Sequence, residues 1–132
     1  MELSPASIRG ELLEQVTRLS GEDVRLCYQC GKCSAGCPMA FAMDLLPNQV
    51  MRGVRLSLSE ELLASSTPWL CATCMTCSVR CPRGIDIAAV MEALRQLTLR
   101  QNRDRVSPSR LGEEAAALPV IAMVSAFRKM TG

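Results

Sequence analysis

The chain has 132 residues, of which 48% are apolar and only 3% aromatic, and it carries a formal net charge of +2. That length fits one compact domain able to bury roughly two-thirds of its unfolded surface, and so small a charge removes the electrostatic case for nucleic-acid binding. The start, Met1-Glu2-Leu3-Ser4-Pro5, is not a basic segment leading into an apolar run, so no export signal is read and the reducing cytosol is expected.

Ala, Leu, Met, Arg and Glu are common and alternating β-branched runs are absent, so the predicted elements are helices throughout. The first begins at Ser4-Pro5 or Ser7, runs through Leu12, Leu13, Val16 and Leu19, and stops near Gly21. Residues 1–26 then form an N-terminal helical lid over the first cysteine run.

That run is Cys27, Cys30, Cys33 and Cys37-Pro38, the pattern CxxCxxCxxxCP. Beyond it Pro47 suits a first helical position, with Val50, Val54 and Leu58 as a weak apolar stripe. The stretch Ser57-Leu58-Ser59-Glu60-Glu61-Leu62-Leu63 offers a further start with a capping-box option, and Thr67-Pro68-Trp69 offers another. Cys71, Cys74, Cys77 and Cys81-Pro82 then repeat the first motif at an offset of 44 residues.

Asp86 is placed to cap a helix whose stripe is Ile87, Val90, Met91, Leu94 and Leu97. An acidic residue follows each Cys-Pro pair, Asp44 and Asp86, so the region 27–99 reads as a duplicated half-unit. Residues 100–132 are a polar linker, with Pro108, and a last helix with Val120, Ile121, Val124 and Phe127 on one face. That face either packs back on the chain or docks on another subunit. The apolar stretch Ala115 to Phe127 is broken by Pro119 and Ser125 and falls short of the ~20 residues that span a bilayer, so no transmembrane segment is expected and any membrane contact comes through a partner.

All eight cysteines belong to the two motifs. A CxxCxxC run winds round an inorganic cube so that three thiolates reach three iron corners, and in two-cluster ferredoxins the Cys-Pro cysteine ligates the other cluster. The expectation is two [4Fe–4S] clusters, the first on Cys27, Cys30, Cys33 and Cys81, the second on Cys71, Cys74, Cys77 and Cys37. Two such clusters add about −2 each, taking the total to about −2. Small neighbours, Gly31, Ser34, Ala35 and Gly36, then Ala72, Thr73, Thr76 and Ser78, let backbone N–H groups approach sulfur.

Lys32, Arg80 and Arg83 either offset cluster charge, form an acidic partner's landing site or are simply solvated. Tyr28 and Trp69 either shield sulfur from water or pack in the core. The alternatives for the cysteines are disulfides, which suit an exported domain, and two structural Cys₄ zinc sites in a scaffolding module, although zinc needs only CxxC pairs. Catalysis by the chain alone lacks a histidine or a spare cysteine.

The segments Cys27-Tyr28-Gln29-Cys30-Gly31-Lys32-Cys33-Ser34-Ala35-Gly36-Cys37-Pro38, Leu46-Pro47-Asn48-Gln49-Val50-Met51-Arg52, Trp69-Leu70-Cys71-Ala72-Thr73-Cys74 and Arg80-Cys81-Pro82-Arg83-Gly84-Ile85-Asp86-Ile87 resemble the C-type subunits of heterodisulfide reductase. That family lies in the α-helical ferredoxin group, with the iron–sulfur domains of succinate dehydrogenase and anaerobic glycerol-3-phosphate dehydrogenase. The resemblance covers about Cys27 to Leu99 and implies an all-α, ferredoxin-type bundle around two [4Fe–4S] clusters. It also implies a wire that takes electrons from an A-type flavin and iron–sulfur partner and passes them to a B-type partner with CCG motifs. No two cysteines are adjacent here, which matches the wire and not the B-type partner. Related complexes act on other sulfur compounds or pass electrons elsewhere, so relay in another dehydrogenase or sulfur-oxidation complex is the neighbouring expectation.

Overall fold

The computed structural model describes residues 10–101, 103–112, 115 and 117–131, and among them all regular structure is helical, with no strand. The chain divides into two units, Met1–Leu94 and Arg95–Gly132. In chain order the helices are α1 (Glu11–Ser20), α2 (Lys32–Ala35), α3 (Pro47–Arg55), α4 (Ser59–Ala64), α5 (Thr67–Leu70), α6 (Thr76–Arg80), α7 (Ile87–Leu99) and α8 (Val120–Met130).

In the first unit α1 buries Leu12, Leu13 and Val16 and ends at Gly21, whose φ of 75° lets its N–H close on the Thr17 carbonyl. The expected starts at Ser4-Pro5 or Ser7 lie outside the described residues. Helix α3 is the hub, packing against α1, α2, α4 and a 3₁₀ turn at Val24–Leu26. Its sequence explains that position. Pro47 occupies the first turn, where no intrahelical N–H is needed, and Val50, Met51, Gly53 and Val54 are buried. A β-carbon on Gly53 would lie 2.9 Å from the Leu62 side chain, so glycine here is what lets α4 close on α3. The Leu46 N–H is satisfied by Gln49 Oε1 at 2.8 Å.

Two boundaries differ from the sequence expectation. Helix α4 starts after Leu58, and neither Ser57 nor Ser59 caps it: Ser57 sits at φ 53°. In α7, Ile87, Val90, Met91 and Leu94 are buried, whereas Leu97 is half-exposed and Ala88 and Ala93 join the buried set instead. Asp86 does cap α7, accepting the Ala89 N–H at 3.1 Å.

The repeat pairs Asp44 with Asp86 as the acidic residue of the first half, yet Asp44 serves a different helix. Its carboxylate accepts the N–H groups of Leu45, Ser66 and Thr67 and the hydroxyl of Ser65 at 2.8–3.0 Å, and lies 2.6 Å from the Thr67 hydroxyl. It therefore caps α5 from 22 residues away. Burial pushes this carboxyl up, but the hydrogen bonds from Thr67, Ser66, Ser65 and Leu45 outweigh it and hold the group well below the usual carboxylate range.

In the second unit α8 follows Pro119 and ends at Thr131, the Arg105 N–H bonds the Met130 carbonyl at 2.8 Å, and Val120, Ile121 and Val124 are exposed. No helix of the described residues is long and apolar enough to cross a membrane.

Because the Asp44 pKa is lowered by folding, its contribution is present above the unfolded value of 3.8 and is lost as pH falls below it. Asp44→Ala is expected to lower stability by about 1–2 kcal/mol at pH 7, and the gap from the parent chain should stay constant above about pH 4 and shrink progressively as pH falls from there toward about pH 2. Anaerobic urea denaturation followed by circular dichroism checks both.

Candidate iron–sulfur site

Each cysteine run folds into a tight loop followed by a short helix, and the two copies share a backbone course. The residue before the second cysteine is left-handed in both, Gln29 at φ 63° and Thr73 at φ 53°. So is the residue after it, Gly31 at φ 76° and Met75 at φ 62°. Left-handed residues alternating with ordinary ones turn successive N–H groups inward into an anion-binding concavity. The sequence signals this at Gly31 but not at Met75, since an unbranched apolar residue seldom adopts that conformation.

Helices α2 and α6, which carry the third cysteine of each run, pack on one another. The Arg80 side chain lies directly over Gly36: a β-carbon there would lie 2.5 Å from Arg80 Nη1 and 2.8 Å from its Cδ. Gly36 precedes Cys37 and Arg80 precedes Cys81, so the two halves meet where each Cys-Pro cysteine leaves its own loop.

The eight cysteines lie around two cavities. Cys27, Cys30, Cys33 and Cys81 line one, together with Gln29, Asn48, Met51 and Ile85. Cys37, Cys71, Cys74 and Cys77 line the other, together with Met39, Met43, Ala88 and Met91. Each cavity thus gathers three thiols of one run and the last thiol of the other. None of the eight is in a disulfide. Among the described residues no three His, Cys, Asp or Glu side chains are grouped to hold one metal ion. A set of four soft sulfur donors in apolar walls suits an iron–sulfur cluster.

The local electrostatics repeat as well. Cys30 is held below the usual thiol value by the Lys32 backbone N–H, against some desolvation, with help from the Tyr28 hydroxyl and the Lys32 charge. Cys74 is lowered by the Thr76 hydroxyl and N–H. Burial pushes Cys33 and Cys77 up. The outer thiol of each loop is therefore the readier to ionise, which metal ligation requires.

Of the two aromatic residues singled out in the sequence, Trp69 is core and Tyr28 is 58% exposed, reaching Cys30 only through its hydroxyl. Arg83 Nε donates to the Leu26 carbonyl at 3.2 Å, and Lys32 is exposed. Sequence reasoning missed four polar contacts around the thiols. Gln29 Nε2 lies 3.3 Å from Cys27 Sγ, and Arg55 donates to the Cys27 carbonyl at 2.8 Å. Ser34 donates to Asn48 Oδ1 at 2.6 Å, and Ser78 donates to Asp86 Oδ1 at 2.6 Å. The serine that comes after the third cysteine of each run was the signal for the last pair.

Residues 23–85 match the family model of the 4Fe-4S dicluster domain. The chain is 38% identical over 78 residues to the iron-sulfur C-subunit of the CoB–CoM heterodisulfide reductase of Methanopyrus kandleri, covering 59% of this chain and 41% of that one. It is 36% identical over 103 residues to the C-subunit of the ferredoxin:CoB-CoM heterodisulfide reductase of Methanosarcina mazei, covering 78% and 63%. To the C-subunit of the H₂:CoB-CoM heterodisulfide,ferredoxin reductase of Methanothermobacter marburgensis it is 32% identical over 89 residues, covering 67% and 48%. The chain spans about half the length of the curated relatives it matches.

Gly31 and Met75 make opposite demands on one backbone course. Met75→Gly is expected to stabilise the protein by about 1 kcal/mol and Gly31→Ala to destabilise it by a similar amount, since nothing lies within 4 Å of a β-carbon at Gly31 and backbone strain alone decides. Urea midpoints of the two variants, measured anaerobically, check the opposite signs.

Proposed function

We propose that this chain, which matches the 4Fe-4S dicluster domain and is similar to C-subunits of heterodisulfide reductases, is an electron-relay subunit holding two [4Fe–4S] clusters. The observation that carries this reading is the sorting of eight thiols into two apolar cavities, four to each.

The first cluster is assigned to Cys27, Cys30, Cys33 and Cys81, the second to Cys37, Cys71, Cys74 and Cys77. Each bound cluster would accept and release one electron. The chain's own residues position the thiols, supply N–H donors from the two left-handed loops, and keep water from the inner sulfurs with Met51 and Ile85 on one side and Met39, Met43 and Met91 on the other. Apart from the cysteines, the titratable side chain in the two linings is Lys32, which is exposed. Under the relay reading the chemistry on substrate belongs to a partner. In this reading the relay runs between an A-type flavin protein and a B-type CCG-motif protein of a heterodisulfide-reductase-like complex, acting on a disulfide or another sulfur compound.

The competing reading, a structural zinc scaffold, differs in metal. Protein purified anaerobically is expected to be brown, with about eight iron and eight sulfide per chain; colourless protein with about two zinc would end the relay reading. Cys81→Ala is expected to disturb the cluster assigned to Cys27, Cys30 and Cys33. Electron paramagnetic resonance showing a change only in the other cluster would overturn the assignment.

A further inference from the structure

The duplication allows the two sites to be compared position by position, and the groups around them differ in charge. Ser34 and Ser78 occupy the same place in the repeat, each one residue beyond a third cysteine. Ser34 gives its proton to the neutral amide of Asn48, whereas Ser78 gives its proton to the carboxylate of Asp86. Lys32 and Thr76 are likewise equivalent, and both donate a backbone N–H to the outer cysteine, but only the first carries a positive charge. Arg55 donates to the carbonyl of Cys27 itself and Arg83 to that of Leu26, which places two guanidinium groups at the entry to the first loop.

Each outer cysteine also has one hydroxyl partner, Tyr28 at Cys30 and Thr76 at Cys74, so these do not distinguish the sites. Arg80 adjoins both halves at Gly36 and does not distinguish them. The remaining difference is Lys32, two guanidinium groups and an amide donor, Gln29, at the first site, against a carboxylate at the second.

Reduction of a thiolate-bound [4Fe–4S] cluster adds a negative charge, so nearby cations and N–H donors raise the potential while nearby carboxylates and apolar walls lower it. We infer that the chain holds its two sites at unequal potentials, with the site of Cys27, Cys30, Cys33 and Cys81 the higher, through the pairing of Asn48 against Asp86 and Lys32 against Thr76. This inference rests on the two-cluster relay reading.

The test is an anaerobic redox titration of the full chain, followed by electron paramagnetic resonance, in which two separate midpoints are expected. Asp86→Asn, which keeps a good helix cap, should move the lower midpoint upward and leave the higher in place. Lys32→Thr should move the higher midpoint downward, and Lys32→Arg should restore it. Coincident midpoints, no shift in either variant, or a shift of the opposite transition in iron-loaded protein would overturn the inference while leaving the relay reading intact. Protein that binds no iron would overturn both.

Discussion

The carboxylate of Asp44 is the contact through which the first half of this protein is fastened to the approach of the second. Two backbone N–H groups and two hydroxyls from Ser65, Ser66 and Thr67 converge on it, along with the N–H of Leu45. Such bonds to an ionised acceptor are the strong ones. Their effect is geometric: the segment that leaves Cys37 and the segment that leads into Cys71 are joined before either cysteine is reached. That is how residues 34 positions apart come to line one cavity. Thr67, fully buried, completes the joint: the hydroxyl oxygen that faces Asp44 also accepts the N–H of Leu45.

Around that joint, α3 organises the packing. A buried proline starts it and a glycine in its last turns admits Leu62, so the helix reaches α1, α2 and α4 at once. Its first turn also carries Asn48, which bonds Ser34 and lines the first cavity. In the second half α7 fills the same place, beginning at Asp86 and presenting Ile87, Ala88 and Met91 inward. Core and site are therefore built from the same helices, and the thiols rest on rigid elements although they are carried by loops.

Much of this was legible in the sequence wherever the signal is local. Gly21 ends α1, Pro47 begins α3, Pro68 lies in α5 and Asp86 caps α7, because each residue acts on backbone within a few positions of itself. The cysteines that the spacing singled out are the ones that line the cavities. What escaped is non-local or atypical. Asp44 sits close to a helix start, and nothing nearby announces that its partners lie 21–23 residues on. Met75 holds a conformation that its own side chain disfavours, imposed by the loop that its neighbours must form. Ser57 and Ser59 offered a cap that α4 does not use. Arg55 reaches the Cys27 carbonyl across 28 residues, a contact that only the packed fold brings about.

Each cavity is walled by both halves, and this bears on how the protein is made. A nascent chain that has emerged only as far as Cys77 has three thiols of the first cavity and waits for the fourth, while the second has all four but lacks the wall that Ile87, Ala88 and Met91 provide. Neither pocket is finished until α7 has been synthesised. In the proposed relay, a chain cut short before α7 would present open, incompletely lined thiol loops in place of two closed sites.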